Sequence, residues 1–195
     1  MSDNPLAAFG GGTGLVSREE MAAYLNSAAA AVPASNGGKQ FLKISDKDGV
    51  WTFGAEETVV EDGALWAVNP TSFFHGYIAW LDGKPDGEHR SSVRRPLPST
   101  DSLKPTKAPK GYEKQVGFDL VCINGDDAGT VCEYKASSVG GTRAVGNLVN
   151  SLNEQFGKNP DALVAIVRLK DNEYYDTKYK KAQFPPVFEV VEWRT

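Results

Sequence analysis

The sequence predicts a mostly β fold with one packed helix and a long basic, proline-rich loop. Two observations predict the β fold: many short apolar runs, and turn residues (Gly, Asp and Asn) that separate them. A third is one segment whose apolar residues recur at helical spacing. With 41% hydrophobic and 24% charged residues, the composition is that of a soluble globular domain.

Short strands account for most of the chain after residue 38. The turn Asp46–Gly49 carries the Asp-Gly pattern of a β-hairpin, and Asn124–Gly129 predicts a second hairpin. Such strands with frequent turns favour a barrel or a sandwich. The predicted strands are Phe41–Ile44, Val50–Phe53, Leu65–Val68, Phe73–Leu81, Val116–Ile123, Thr130–Ala136, Leu163–Leu169, Glu173–Lys178 and Val187–Trp193.

The one convincing helix is Thr142–Phe156, with Thr142 as its predicted N-cap. Its apolar face contains Val145, Leu148 and Leu152. One helix inserted before the last strands of a β chain is typical of an OB-like β-barrel, in which the helix plugs one end. We therefore predict an OB-like domain over residues 39–195, with a loop inserted at residues 84–114.

Residues 1–38 are predicted to form a flexible appendage. Ser17 and Glu20 make a capping box that begins a short Ala-rich helix, and Pro33 ends it. No run approaches the about 18 apolar residues of a membrane span. Two cysteines are too few for a disulfide scaffold. We expect a cytoplasmic protein with no membrane contact.

Few residue types in the sequence suit catalysis or metal binding. His75 and His89 are the only histidines, and Cys122 and Cys132 lack the second Cys/His pair of a zinc site. We expect two buried free thiols. No nucleophile elbow is present, although two carboxylates brought together from distant positions remain an open alternative. The sequence predicts no enzyme, no metal and no cofactor.

The predicted loop 84–114 contains eight cations, four carboxylates and five of the eleven prolines. A long segment without a pattern of its own is usually functional or disordered. Two interpretations stay open. One is a solvated linker; the other is a basic arm that closes over a polyanion, with Arg94 and Arg95 as phosphate contacts.

The stretch FFHGYIAW at positions 73–80 places large rings on both faces of a strand. Alternation directs Phe73 and Tyr77 to one face and Phe74 and Trp80 to the other. A strand with one wet face should alternate apolar with polar residues. One face is therefore predicted to fill the core and the other to be a platform on which a flat group stacks. The sequence leaves open which of the two faces is the platform.

Two more segments predict contacts with an anion. Glycines at the start of the helix leave backbone N–H groups open, and Arg143 adds charge there, although the same glycines could simply turn the chain. Near the C-terminus, Tyr175 and Tyr179 lie among lysines that include Lys178. Rings beside cations suit single-strand binding, because every base has a π-face and every nucleotide a phosphate.

The order of elements resembles that of single-stranded DNA-binding proteins of tailed bacteriophages over Lys39–Trp193. The resemblance lies in FFHGYIAW, in the hairpin VCINGDDAGTVCEYKASSVGG that enters the helix, and in the strand PPVFEVVEW. It implies an OB-type barrel that coats single-stranded DNA in replication or recombination, within the host cytoplasm. Its implied stacking rings are Trp51, Phe53, Tyr77 and Trp80, and its implied phosphate contacts are Arg94, Arg95 and Lys135.

Two other functions remain as alternatives. One is a virion or assembly protein, a β-sandwich that binds other proteins. The less favoured one is an enzyme that processes nucleic acid. The choice between DNA and RNA and the formation of a homo-oligomer are also open.

Overall fold

Twelve β-strands and one α-helix make up residues 38–178 and 180–195, the part of the chain that the computed structural model describes. The prediction of a mostly β fold with one helix is confirmed. The predicted appendage lies, except for Gly38, outside the described residues. The elements are β1 (Gln40–Ile44), β2 (Trp51–Phe53), β3 (Thr58–Val59), β4 (Leu65–Val68), β5 (Phe74–Leu81), β6 (Lys84–Ser92), β7 (Glu113–Cys122), β8 (Val131–Ala136), α1 (Val139–Lys158), β9 (Val164–Asp171), β10 (Tyr174–Asp176), β11 (Lys181–Gln183) and β12 (Pro186–Arg194).

Ten of these strands form one sheet, in the order β12-β9-β4-β7-β8-β1-β2-β3. Strand β7 pairs with β8 along one edge and with both β5 and β4 along the other, while β6 pairs with β5. All pairs are antiparallel except β1 with β8. Among the described residues the ends of this order, β12 and β3, are not hydrogen-bonded, so the sheet is not closed into a barrel.

The core lies where the strands curve around a group of large side chains. Trp66 and Phe118 are fully buried at its centre. Phe188 of β12 reaches across to β8, with its ring centroid 4.9 Å from that of Tyr134, and it also contacts Phe118 at 5.0 Å. Side chains therefore fill the space between β8 and β12, which backbone hydrogen bonds do not join.

Helix α1 begins three residues earlier than predicted. The cap is Ser138, whose Oγ accepts the N–H of Gly141, so Thr142 was the wrong cap. The reason is that the glycines at 140 and 141 continue into the helix instead of turning the chain before it. Val145 and Leu148 are buried as predicted, and Leu152 packs at the edge of the core.

In the described part of the chain, no helix combines the length and the apolar character needed to cross a membrane.

The predicted loop 84–114 is wrong at both ends. Residues Lys84–Ser92 form β6, and β7 begins at Glu113. An edge strand does not need apolar residues, so the polar sequence KPDGEHRSS gave no sign that this segment forms a strand. The remaining segment, residues 93–112, is called the basic arm. It is tied down, since Thr106 Oγ1 and the Lys107 N–H both donate to Asp86 Oδ2 at 2.6 Å.

Candidate nucleic-acid interface

One face of the sheet is turned away from the core across β1, β8, β7, β5 and β6. Opposed residues on paired strands project from the same face, and neighbours along a strand project from opposite faces. We call this surface the outer face. The strand registers place on it Phe41, Glu133, Lys135, Asp119, Gly117, Gln115, Glu113, Phe74, Gly76, Ile78, Ser92, Arg90 and Glu88. Of these side chains, Ile78, Gln115 and Glu133 are buried.

Two aromatic rings on the outer face each have a cation above them. Lys135 Nζ lies 4.8 Å from the ring centroid of Phe41, and Arg90 Cζ lies 4.8 Å from that of Phe74. The negative face of an aromatic ring attracts a cation at this distance. Phe41 is 51% exposed, which is unusual for so large an apolar side chain. The outer face thus presents rings and cations together.

Glycines allow the Phe74 ring to lie against the backbone. A Cβ on Gly117 would collide with the Phe74 ring and with the Tyr134 carbonyl oxygen. A Cβ on Gly76 would collide with the His89 carbonyl oxygen. Glycine inside a strand often marks such a close approach. These two glycines therefore permit the close approach of the Phe74 ring and of the His89 carbonyl.

The cations of the outer face are neutralised by carboxylates. Glu88 Oε1 accepts from Arg90 Nε at 2.8 Å, from Gln115 Nε2 at 2.9 Å and from Lys135 Nζ at 3.1 Å. Arg90 Nη1 donates to Glu133 Oε2 at 2.7 Å. Burial alone would raise the pKa of Glu88, but these hydrogen bonds outweigh it and lower that pKa. The outer face therefore offers ring surface and hydrogen-bonding groups more than net positive charge.

Positive charge comes from the basic arm, which contains five cations and one carboxylate. Arg94 and Arg95 are exposed where it begins, directly after β6. His75 Nε2 lies 2.7 Å from the Arg95 carbonyl oxygen, and the Arg95 N–H donates to the Ser92 carbonyl. The arm thus begins at the end of β6, and its Arg95 carbonyl lies beside His75, which projects from β5 to the side opposite Phe74.

Two of the predicted stacking rings are buried. Trp51 is 7% exposed and Phe53 is 4% exposed. The Trp51 ring packs against Tyr134 and Phe188, and its Nε1 donates to the Lys170 carbonyl at 3.1 Å. Neither ring has a face open to a base, so we leave both out of the proposed interface.

The stretch FFHGYIAW divides between core and surface. Phe73 stacks on Phe118 in the core, with centroids 5.1 Å apart, whereas Phe74 lies on the outer face. Tyr77 is half-buried with its edge towards Tyr112, and Trp80, which follows a β-bulge, is 38% exposed. The ring that meets the outer face is thus Phe74, a residue that was not among the predicted site residues.

Tyr175 and Lys178 lie on a separate two-stranded hairpin formed by β10 and β11, and Tyr179 lies outside the described residues. Tyr175 is 65% exposed and its neighbour Tyr174 is 49% exposed. Arg143 is exposed on the first turns of α1, away from the outer face. The structure therefore places Lys135 on the outer face and Arg94 and Arg95 at the exposed start of the basic arm, and it leaves these residues elsewhere.

The main residues that sequence reasoning missed are Phe41, Phe74 and Arg90. Asp82-Gly83 is a two-residue hairpin turn, with φ of 50° and 76°, and this pattern could have revealed β6 and the position of Arg90 opposite β5. Phe41 lies between Lys39 and Lys43, so its exposure also had a visible signature.

Comparison with protein families, with curated proteins and with solved structures finds no match to this chain. The resemblance to phage single-stranded DNA-binding proteins therefore stays a prediction from the sequence. The outer face and the basic arm are the features from which a function can be proposed.

Proposed function

We propose that this protein binds single-stranded DNA without sequence preference and coats it during phage replication or recombination. The main support for the proposal is the presence of two cation-capped rings, Phe41 with Lys135 and Phe74 with Arg90, on one face of one sheet. The Phe41 ring is exposed and the Phe74 ring is half-buried. Sequence-tolerant binding uses rings on which bases stack and cations that meet the backbone. The protein acts as a binding module, with no cofactor.

The two parts of the interface have different roles. Because Glu88 and Glu133 neutralise the cations of the outer face, this face contributes base stacking. The basic arm contributes phosphate contacts through Arg94 and Arg95, and the bond from His75 to the Arg95 carbonyl anchors its backbone at the end of β6. A bound strand would then run along the outer face with its phosphates towards the arm.

The topology supports an open OB-like barrel. In the OB fold the first strand pairs with the second and the fourth, and the helix follows the third. In this protein β4 and β5 together correspond to the first strand of the OB fold, and β7 and β8 correspond to the second and third. Strands β9 and β12 correspond to the fourth and fifth, and α1 follows β8. The oligonucleotide surface of OB folds lies on strands two and three, which correspond to β7 and β8.

Phe41→Ala tests the stacking role. The substitution should weaken binding to labelled oligo(dT) by about 1–3 kcal/mol, because one stacked base loses its platform. The melting temperature should change little, because the side chain is already half in solvent. Fluorescence anisotropy titration and thermal denaturation of the same samples measure both effects.

The matched control is Phe156→Ala on α1, where the ring is 60% exposed but not on the outer face. It should leave affinity for oligo(dT) unchanged. Equal effects of the two substitutions, or no binding of oligo(dT) by the unaltered protein, would contradict the proposed function.

An assembly protein is the second candidate, favoured by an apolar groove of about 560 Å³ along α1. Its lining includes Val149, Leu152 and Phe156 of α1 together with Phe73, Phe74 and Val93. If the groove holds another protein subunit or a second copy of this chain, Phe156→Asp should abolish that association. Light scattering after size exclusion, with and without the substitution, measures it.

A further inference from the structure

A pocket of about 540 Å³ opens between the start of α1, the end of β1 and the connection from β11 to β12. Its lining includes Ile44 and Tyr134, which project from the core side of β1 and β8, so it lies on the opposite side of the sheet from the outer face. Its volume is in the range of small-ligand sites, roughly 300–1,000 Å³, and exceeds what a lone phosphate fills.

Backbone donors at the start of α1 line this pocket. Ser138 satisfies the N–H groups of Gly141 and Thr142. Among the described residues, the N–H groups of Val139 and Gly140 have no acceptor. The first N–H groups of a helix together with its dipole attract an anion, and α1 is 20 residues long.

The Tyr134 hydroxyl is a second, independent indication of a ligand. Tyr134 is 3% exposed and lines the pocket, and its hydroxyl lies 2.9 Å from where a Cβ on Gly141 would be. It makes no hydrogen bond with any described residue. The side chain is buried but its hydroxyl is open to the pocket, and a tyrosine hydroxyl in such a position normally finds a partner. A tyrosine hydroxyl is protonated at neutral pH and can donate, and burial raises the pKa of Tyr134 further.

The charges around the pocket differ between its walls. Arg143, which forms no ion pair with the described residues, lines it beside the start of α1. Asp46, after β1, and Asp176, on β10, line another part, and Lys181 Nζ lies 4.0 Å from Asp46. Donors on one wall suit a phosphate, and the Asp46 carboxylate on another suits an N–H group of a base.

We propose that this pocket binds a nucleotide-type phosphate ester. Its phosphate lies at the start of α1, where Arg143, Tyr134 and the open N–H groups donate, and its ring lies beside Tyr174 and Phe184. The ligand is either a free mononucleotide or the 5′-phosphorylated end of a strand, and both present the same chemistry.

Two substitutions test the pocket with the full chain. Isothermal titration with thymidine 5′-monophosphate, thymidine and inorganic phosphate should show the monophosphate binding most tightly. Arg143→Ala and Tyr134→Phe should each weaken it at least about fivefold, because each removes a hydrogen bond to a charged group. Tyr134→Phe should leave the melting temperature unchanged, since the hydroxyl has no partner within the fold. Lys158→Ala, at the other end of α1, is the control.

Oligonucleotides with and without a 5′-phosphate distinguish the two sources. A preference for the phosphorylated oligonucleotide that Arg143→Ala removes assigns the pocket to a strand end, and no preference assigns it to a free nucleotide. Equal binding of inorganic phosphate, no binding of the monophosphate, or effects equal to those of Lys158→Ala would overturn the proposal. Phe41→Ala should leave monophosphate binding intact, so failure of the proposed function on the outer face is a separate result.

Discussion

Phe74 and Gly117 show how single residues determine which groups a sheet presents on one face. A ring usually stands away from a strand, but the missing Cβ of Gly117 allows the Phe74 ring to approach the backbone. Arg90 then covers the ring, and Glu88 and Glu133 hold Arg90 in place. Burial and the two carboxylates act in opposite directions on the guanidinium, and the net effect raises the pKa of Arg90.

Cys132 should make the folded protein sensitive to alkaline pH. Both cysteines are free and buried, as predicted. Burial, with the nearby Cys122 and Asp127, raises the pKa of Cys132 from 9.0 to about 12. The folded thiol keeps its proton where the unfolded thiol has lost it, so its contribution to stability is complete below pH 9 and disappears as the pH rises towards 12.

This effect can be measured as the change in melting temperature from about pH 8 to about pH 11, a range that spans the ordinary pKa of a thiol. The unaltered protein should lose stability with pH more steeply than Cys132→Ala, by up to about 1.4 kcal/mol per pH unit. The comparison uses only the slope of melting temperature against pH, because the cavity left by Cys132→Ala lowers the melting temperature at every pH. Parallel curves would show that Cys132 does not titrate on unfolding.

At the scale of elements, the start of α1 depends on one hydroxyl. Ser138 Oγ accepts the Gly141 N–H at 3.1 Å, whereas Thr142 Oγ1 donates back to the Ser138 carbonyl at 3.0 Å. Ser138→Ala should lower the free energy of unfolding by about 0.5–2 kcal/mol, because it removes the cap. Thr142→Ala should change the free energy of unfolding little, because alanine is a better helix former than threonine. The lost hydrogen bond from Thr142 Oγ1 to a carbonyl also satisfies no free N–H group of the helix. Urea denaturation distinguishes them.

Local patterns predicted the elements, but not how the elements meet. The hairpin around Asn124–Gly129, the helix and the β5 strand follow from turn residues and periodicity, which act over a few residues. The outer face combines Phe41, Lys135 and Phe74 from three strands distant in sequence, so no local pattern could specify it. Trp51 and Phe53 have the composition of stacking rings, yet tertiary packing buries them.

For the whole molecule, charge is divided between two regions. The basic arm carries +4 and the chain −4, so the remainder carries −8. An acidic body should repel a polyanion except where the arm lies. If the proposed function is right, the arm should therefore orient a bound strand as well as hold it.

Reversing Arg94 and Arg95 to glutamate should weaken binding to all oligonucleotide sequences alike. The slope of log affinity against log salt should become shallower by roughly 0.7 for each phosphate that the arm ceases to neutralise. Lys47→Glu with Lys158→Glu changes the net charge equally at exposed positions outside the arm and should leave the slope nearly unchanged. Filter binding across a salt series measures it; equal slopes for the two double variants would mean that the arm neutralises no phosphates.

The parallel pairing of β1 with β8 determines when the first strands can find their place during synthesis. Roughly 90 residues separate the two strands, and closing so long a loop costs chain entropy before any contact forms. While the chain leaves the ribosome, β1 to β3 can form a local meander but have no neighbour until β8 has emerged. The strands made first are therefore among the last to dock, and until then the edge of β1 is open to other chains.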